Sequence, residues 1–229
     1  MADVSISVFG ADILHMENNL RLLDGVPVYS LHIDIMDGHF VPLCGFNQMW
    51  IRSIESIVPL KKDFHFMAYV SKEMLTAYMC LKPDRITIHA EAGMIENNIS
   101  LLNIIKDEGI EAGIALSPQT SAEELNPYIS VIDDVLIMST EPGRENSSFL
   151  ETTYCKIENV YRIRQESNCF FTISIDGGLS VNTAELCVKS GADRVILGRA
   201  FFESTNRKEI IDYIKKCKQT CKILINHTE

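Results

Sequence analysis

Short apolar runs of strand length alternate with helix-forming segments along the whole sequence, and this alternation limits the fold more than any other feature. The segment that follows the second predicted strand, Tyr29–Met36, shows no clear helical period. Alternating β and α segments predict an α/β protein with a parallel sheet. The predicted strands are Val4–Phe9, Tyr29–Met36, Lys62–Met67, Arg85–His89, Ala112–Leu116, Val135–Ser139, Phe170–Ile175 and Arg194–Leu197. The predicted helices are Ile13–Leu23, Lys72–Cys80, Ile99–Glu108, Ala122–Ile129, Phe149–Gln165, Thr183–Ser190 and Lys208–Cys221.

Eight strands in 229 residues favour a closed (β/α)8 TIM barrel, because a doubly wound sheet of this length usually has fewer strands. No linker rich in Pro, Gly or Ser divides the chain. We therefore expect a single barrel domain over residues 1–229. In such a barrel the chemistry collects at the C-terminal ends of the strands, and functional residues are expected there.

The charge and composition of the chain exclude several classes of partner. The sequence has 21 Lys+Arg against 31 Asp+Glu, a formal net charge of −10, and no basic run of the kind that binds nucleic acid. Its 46% hydrophobic content is that of an ordinary folded protein. A small anion remains a possible ligand, since backbone N–H groups bind anions locally.

The cysteines and the apolar segments predict the cellular compartment of the protein. Seven cysteines without a CxxC pair indicate reduced thiols rather than a disulfide framework or a zinc knuckle. The N-terminal residues do not resemble a signal peptide, and no apolar run reaches the ~18 residues of a membrane span. We expect a cytoplasmic protein without a membrane partner.

Polar side chains of metal-ligand type occupy the ends of three predicted strands. His32 and Asp34 alternate with isoleucines near the end of the second strand, His65 lies at the end of the third, and Asp176 follows the seventh. Singly, such a histidine is usually structural and an Asp before Gly-Gly usually forms a turn. Together they predict a site for one divalent ion, Zn²⁺, Fe²⁺ or Mn²⁺.

These strand ends also carry a resemblance to a known family. The sequence resembles ribulose-phosphate 3-epimerases in order along nearly its whole length. The matching segments are ISVFGAD at Ile6–Asp12, HIDIMDGHFVP at His32–Pro42, DFHFM at Asp63–Met67, ITIHAE at Ile86–Glu91, AGIALSP at Ala112–Pro118, LIMSTEPG at Leu136–Gly143, IDGG at Ile175–Gly178 and GADRVILGRAFF at Gly191–Phe202.

The resemblance implies a metal-dependent barrel enzyme that inverts the carbon next to the carbonyl of a ketose phosphate, and a homo-oligomer. By position, His32, Asp34, His65 and Asp176 match the metal ligands, and Asp34 and Asp176 also match the acid/base pair. Proton removal next to a carbonyl followed by return of a proton to the other face requires two such groups. The positions expected to contact substrate are Ser7, Met36, His65, Met67, Met138, Gly143, Gly177, Gly178, Gly198 and Arg199.

The sequence departs from the family where the substrate phosphate is expected. The family loop Pro-Gly-Phe-Gly-Gly-Gln is replaced from Pro142 onward, with Glu145 and Asn146 at the Gly-Gly pair. After the eighth strand the usual Gly-Ser is Gly198-Arg199, and Arg199 either replaces the lost attraction for phosphate or pairs with an acid such as Glu145. Leu43–Phe46 also differs from the family. We expect the same reaction on ribulose 5-phosphate or a related sugar phosphate such as allulose 6-phosphate.

Two other functions fit parts of the sequence. A keto-gulonate-phosphate decarboxylase shares this type of barrel, but its motif requires a lysine where this chain has Met36. A sugar-phosphate-binding protein without turnover would explain the missing glycines, but such a protein has no need of a proton-transfer pair. His39 and His89 are expected to have structural roles or to support the site from outside.

Overall fold

A computed structural model describes residues 1–144 and 148–225 of the chain, with the side chains of 218–225 outside that description. Glu145 and Asn146, where the sequence departs from the family, lie outside the described residues. Within them, parallel strands pair in sequence order, and the last pairs with the first to close a barrel. The strands are β1 Asp3–Ser7, β2 Ser30–Met36, β3 Lys61–Met67, β4 Arg85–His89, β5 Glu111–Leu116, β6 Asp134–Met138, β7 Thr172–Asp176 and β8 Arg194–Leu197. The predicted (β/α)8 TIM barrel is confirmed.

Helices surround the barrel and join consecutive strands. Several begin at a residue whose side chain accepts a backbone N–H of the first turn, as Asn47, Ser71 and Ser180 do. None of the helices in the described residues has the length and apolar character needed to cross a membrane. The α-helices are α1 Met16–Arg21, α2 Gln48–Ile54, α3 Lys72–Met79, α4 Ile95–Asp107, α5 Thr152–Ser167, α6 Val181–Lys189, α7 Arg199–Phe202 and α8 Arg207–Ile225.

Strand alternation separates an apolar layer from the interior of the barrel. All seven residues of β2 are buried, yet Ile33 and Ile35 belong to the large core that also contains helix residues such as Leu75. The alternate residues His32 and Asp34 therefore face the barrel interior. Burial on both faces of the strand holds these two polar side chains in place.

A layer of buried ions lies inside the barrel below the strand ends. Nη1 of Arg85 is 3.8 Å from Oδ2 of Asp63 and 3.7 Å from Oδ1 of Asp134. Nη1 of Arg194 is 3.5 Å from the same Asp134 oxygen. Asp63 lies two residues before His65 on β3. The charged layer therefore supports the strand ends from beneath.

The first strand ends earlier than its sequence predicts. β1 stops at Ser7, and Val8–Gly10 form a 3₁₀ turn in which the Ser7 hydroxyl accepts the Phe9 N–H at 3.3 Å. This local hydrogen bond gives the backbone an alternative to the strand ladder. The turn brings Phe9 and Gly10 to the mouth of the barrel.

The prediction of a helix at Ala122–Ile129 is wrong. Only Ala122–Leu125 is helical, as a short 3₁₀ turn. Pro127 has no N–H to donate, so an α-helix cannot continue through it without losing a hydrogen bond.

Candidate active site

Four predicted ligand residues meet at the C-terminal end of the barrel. His32 and Asp34 come from β2, His65 from β3 and Asp176 from the last position of β7. One nitrogen or oxygen atom from each lies within 4.8 Å of all the others. His32, Asp34 and His65 are buried, and Asp176 is partly exposed at the cavity.

The atoms of this cluster face a common point. Oδ1 of Asp34 is 3.1 Å from Nδ1 of His65 and 3.4 Å from Nε2 of His32. Oδ2 of Asp176 is 3.7 Å from Nε2 of His32 and 3.9 Å from Nδ1 of His65. The other oxygen of Asp34 accepts a hydrogen bond of 2.8 Å from the Ser7 hydroxyl. Two nitrogen and two oxygen atoms of metal-ligand type are therefore directed toward one another.

One buried atom in this cluster lacks a hydrogen-bond partner. Nε2 of His32 makes no hydrogen bond, whereas Nδ1 of the same ring is 3.0 Å from Oδ2 of Asp63. An unpartnered polar atom in a protein interior is costly and calls for an explanation. A divalent ion coordinated by Nε2 supplies one, and two imidazoles with two carboxylates form a donor set suited to Zn²⁺, Fe²⁺ or Mn²⁺. The residues present fit such a metal ion.

The two carboxyl groups differ in acidity. Burial opposes the ionised form of Asp34, but the adjacent His32 and His65 lower its pKa far below the ordinary value. Burial raises the pKa of Asp176 to about 7; the charge of Asp34 adds to this effect, while His32 opposes it. Without a metal, the site therefore holds an ionised Asp34 beside an Asp176 that is protonated up to neutral pH.

The histidines also differ. Burial would lower the pKa of His32, but Asp34 and Asp63 raise it well above the ordinary value. Burial lowers the pKa of His65, and the hydrogen bond that its Nδ1 donates to Asp34 opposes this effect. The second ring nitrogen of His65 is 3.0 Å from Nε2 of His89.

A cavity of about 740 Å³ opens above this cluster at the mouth of the barrel. Asp34 and Asp176 reach its wall, whereas His32 and His65 lie below the surface that lines it. Its volume is typical of a pocket for a small molecule. The other predicted substrate-contact residues on its wall are Ser7, Met36, Met67, Met138, Gly143, Gly177, Gly178, Gly198 and Arg199.

Two glycines at the cavity have conformations that a side chain would disturb. Gly143 has φ +65°, and a Cβ there would lie 2.3 Å from Cβ of Val41. Gly177 has φ +113°, and a Cβ there would lie 2.4 Å from Oγ1 of Thr140. Left-handed backbone of this kind favours glycine.

The sequence did not single out several residues that contribute to the site. Phe9 and Gly10 line the cavity because β1 ends early. Asp63 and Glu91 contact site histidines from outside, and their spacing of two residues from His65 and His89 was the available signal. His39, for which a structural or supporting role is expected, is exposed and does not line the cavity.

Comparisons with known sequences identify the family of this chain. Residues 3–202 match the Ribulose-phosphate 3 epimerase family. The chain is 34% identical over 212 residues to "Ribulose-phosphate 3-epimerase" of Chlamydia muridarum, covering 90% of this chain and 91% of that protein. The protein of the same name from Bacillus subtilis is 28% identical, covering 95% and 100%.

Solved structures with the same fold have lower sequence identity. "Crystal structure of KGPDC from Streptococcus mutans" gives a TM-score of 0.66 at 14% identity, covering 96% of this chain and 99% of that one. 3-Hexulose-6-phosphate synthase from Salmonella typhimurium gives 0.65 at 13%, with the same coverage. These similarities concern the barrel alone.

Fold and sequence together define a barrel enzyme of the isomerase class that acts on carbohydrates. The chain belongs to the ribulose-phosphate 3-epimerase family.

We predict that Asp176 titrates near neutral pH in the metal-free protein, because its pKa is raised to about 7, while Asp34 stays ionised. The side-chain carboxyl ¹³C shifts, assigned with Asp→Asn variants and followed against pH, measure this. A folded pKa above the unfolded value of ~4 means that Asp176 stabilises the metal-free fold in acid and that this contribution is lost as pH rises through about 7. A midpoint for Asp176 at or below ~4 would contradict the prediction.

Proposed function

We propose that this chain is a metal-dependent 3-epimerase of a ketose phosphate, converting D-ribulose 5-phosphate to D-xylulose 5-phosphate or acting on a related sugar such as D-allulose 6-phosphate. The observation that carries the proposal is the pair of carboxyl groups, Asp34 and Asp176, at one cavity with opposite shifts in pKa. Two carboxyl groups held in different protonation states are what proton removal and proton return require.

The two groups act in turn. An ionised Asp34 accepts the proton from C3, the electrons of the broken C–H bond form the C2–C3 double bond, and the carbonyl oxygen takes up negative charge to give an enediolate. A protonated Asp176 then delivers a proton to the opposite face of C3. In the reverse direction the two groups exchange roles. The Ser7 hydroxyl, which donates to Asp34, fixes the orientation of that carboxylate.

His32, Asp34, His65 and Asp176 are the residues that would hold the metal. When bound, the ion supplies positive charge next to the developing oxyanion and balances the two carboxyl groups. Zn²⁺, Fe²⁺ and Mn²⁺ all suit these donors, and thiolate ligands are not needed. The unpartnered Nε2 of His32 supports this assignment.

Three methionines are proposed to cover the reacting carbons. Met36, Met67 and Met138 are buried and line the cavity. Thioether side chains exclude water and offer no competing base to a planar intermediate. Protonation of the intermediate is thereby left to the two carboxyl groups.

The phosphate is proposed to bind at the rim formed by Gly177, Gly178, Gly198 and Arg199. All four line the cavity that Asp34 and Asp176 share. Backbone N–H groups at the glycines and the charge of Arg199 would replace the phosphate contacts of the family's Gly-Gly pair, where this chain has Glu145 and Asn146. A change confined to this end favours the family's reaction on a substrate with a different phosphate position or chain length. The homo-oligomer implied by the resemblance stays a prediction.

Removal of either carboxylate should slow epimerisation strongly. We expect Asp34→Asn and Asp176→Asn each to lower kcat by ~10²- to 10⁴-fold, because the variant amide cannot accept or deliver the proton. Solvent deuterium incorporation at C3 of ribulose 5-phosphate, followed by NMR, measures the proton transfer directly.

Asp12→Asn is the matched control, since Asp12 is exposed at the N-terminus of a short turn, where asparagine serves equally as a cap. Its kcat should equal that of the wild type. Near-normal turnover in either active-site variant, with circular dichroism showing a folded barrel, would exclude a two-carboxylate mechanism.

The arginine at the rim tests the phosphate assignment. We expect Arg199→Ser to raise KM for the substrate by roughly ten- to a hundred-fold with little change in kcat, because a charge-assisted hydrogen bond contributes ~1.5–3 kcal/mol. Steady-state kinetics with Arg52→Ser, an exposed arginine on α2, controls for the loss of charge. An unchanged KM, or equal turnover of unphosphorylated ketoses, would show that Arg199 does not bind phosphate.

A further inference from the structure

A chain of buried side chains leads outward from His65. Nε2 of His65 is 3.0 Å from Nε2 of His89, and Nδ1 of His89 is 3.0 Å from Oε2 of Glu91. The two imidazole rings stack with centroids 5.1 Å apart. Both histidines are completely buried, whereas the Glu91 side chain retains a quarter of its exposure. The three groups therefore form one row from the interior to the surface.

The hydrogen-bonding rules for these groups leave one arrangement that suits a metal. An ionised carboxylate only accepts hydrogen bonds, so Nδ1 of His89 carries a hydrogen toward Glu91. Nε2 of a neutral His89 is then an acceptor, and the 3.0 Å contact requires a hydrogen on Nε2 of His65. Nδ1 of His65, which shares a hydrogen with Oδ1 of Asp34 at 3.1 Å, can then give up that hydrogen and turn its lone pair toward a metal.

We propose that Glu91 is a positioning residue that acts through His89 to keep a hydrogen on Nε2 of His65, so that Nδ1 of the same ring can bind the metal. The inference rests on the proposed metal-dependent function and extends it to a residue outside the cavity that holds the substrate. Carboxylates that orient ligand histidines are a general feature of metal sites. Here the carboxylate acts at one remove, since a second imidazole separates it from the ligand.

The surroundings of Glu91 fix the orientation of its carboxylate. Oε1 accepts the Ser117 N–H at 2.8 Å and a short hydrogen bond from the Thr120 hydroxyl. Nζ of Lys156, on α5, donates to the Ser117 and Pro118 carbonyls at 2.7 and 2.8 Å and holds this loop against the barrel. Oε2 is thereby directed at His89.

The other ligand histidine is oriented in a simpler way. His32 places Nδ1 3.0 Å from the Asp63 carboxylate and leaves Nε2 facing the cluster. Each ligand ring therefore turns one nitrogen toward the cluster and the other away from it. The outward nitrogen of His32 meets a carboxylate directly, and that of His65 meets His89. The parallel supports an equivalent task for Glu91, carried out from farther away.

Glu91→Gln tests the proposal because it reverses every hydrogen bond in the row. A backbone N–H cannot accept, so the glutamine oxygen takes the place beside Ser117 and its NH₂ faces His89. Nδ1 of His89 must then accept, and its Nε2 must donate to Nε2 of His65. The hydrogen of His65 is then kept on Nδ1, beside Asp34, where the metal would bind. We expect Zn²⁺ to bind the full-length variant 10- to 100-fold more weakly than the wild type in competition with a chromophoric chelator.

Glu124→Gln is the matched control, since it removes the same charge from an exposed residue lining the same surface depression as Glu91. Its Zn²⁺ affinity should equal that of the wild type. Two-bond ¹H–¹⁵N correlation spectra of the zinc-free proteins report the tautomer directly. Nδ1 of His89 should carry a hydrogen in the wild type and in Glu124→Gln, and should carry none in Glu91→Gln.

The outcomes separate this inference from the proposed function. Weaker zinc binding by Glu91→Gln together with the switched tautomer would establish it. Affinity within about threefold of the wild type, or a wild-type His89 without a hydrogen on Nδ1, would overturn it. Should Glu91→Gln fail to fold, the wild-type tautomer alone decides by the same criterion. A wild type that binds no Zn²⁺ would instead remove the proposed metal-dependent function on which the inference rests.

Discussion

The carboxylate of Asp34 is buried between two imidazoles, and the mouth of the barrel depends on keeping that charge satisfied. One oxygen faces His32 and His65, and the other accepts the Ser7 hydroxyl. A buried carboxylate without such partners would cost several kcal/mol, so each partner must itself be fixed. Three adjacent strands, β1 to β3, supply these groups, and their register is therefore tied to the chemistry of the site.

The support extends outward from this carboxylate in two directions. Below the site, Asp63 connects His32 to the buried ionic layer that contains Arg85. To the side, His89 connects His65 to Glu91 and the loop after β5. Asp176 differs, since it borders the cavity with fewer partners and its pKa is raised to about 7 by burial. The same barrel end thus holds one carboxyl group rigidly ionised and leaves another free to exchange a proton.

The sequence predicts the barrel and the four clustered residues because strand alternation and strand order depend on local patterns. His32 and Asp34 share a face by spacing alone, and closure of the barrel brings His65 and Asp176 beside them. The early end of β1 was not predictable from apolar character, since Val8 and Phe9 continue the run and a Ser7 hydrogen bond stops the strand. The contacts of Asp63 with His32 and of Glu91 with His89 depend on how each imidazole ring is oriented. Sequence spacing does not contain that information. Helix α2 escaped prediction because it is short and follows a long loop.

Isotope exchange measured together with metal content tests the account most directly. The full chain, loaded with Zn²⁺ or Mn²⁺ and freed of excess metal, is incubated with ribulose 5-phosphate or allulose 6-phosphate in D₂O. We predict about one ion per chain and deuterium at C3 of the 3-epimer formed from one of these sugars. The deuterium incorporation should be lost when the metal is removed. A chain that exchanges C3 equally well without metal, or a fully loaded chain that exchanges no hydrogen at C3 of either sugar phosphate, would contradict it.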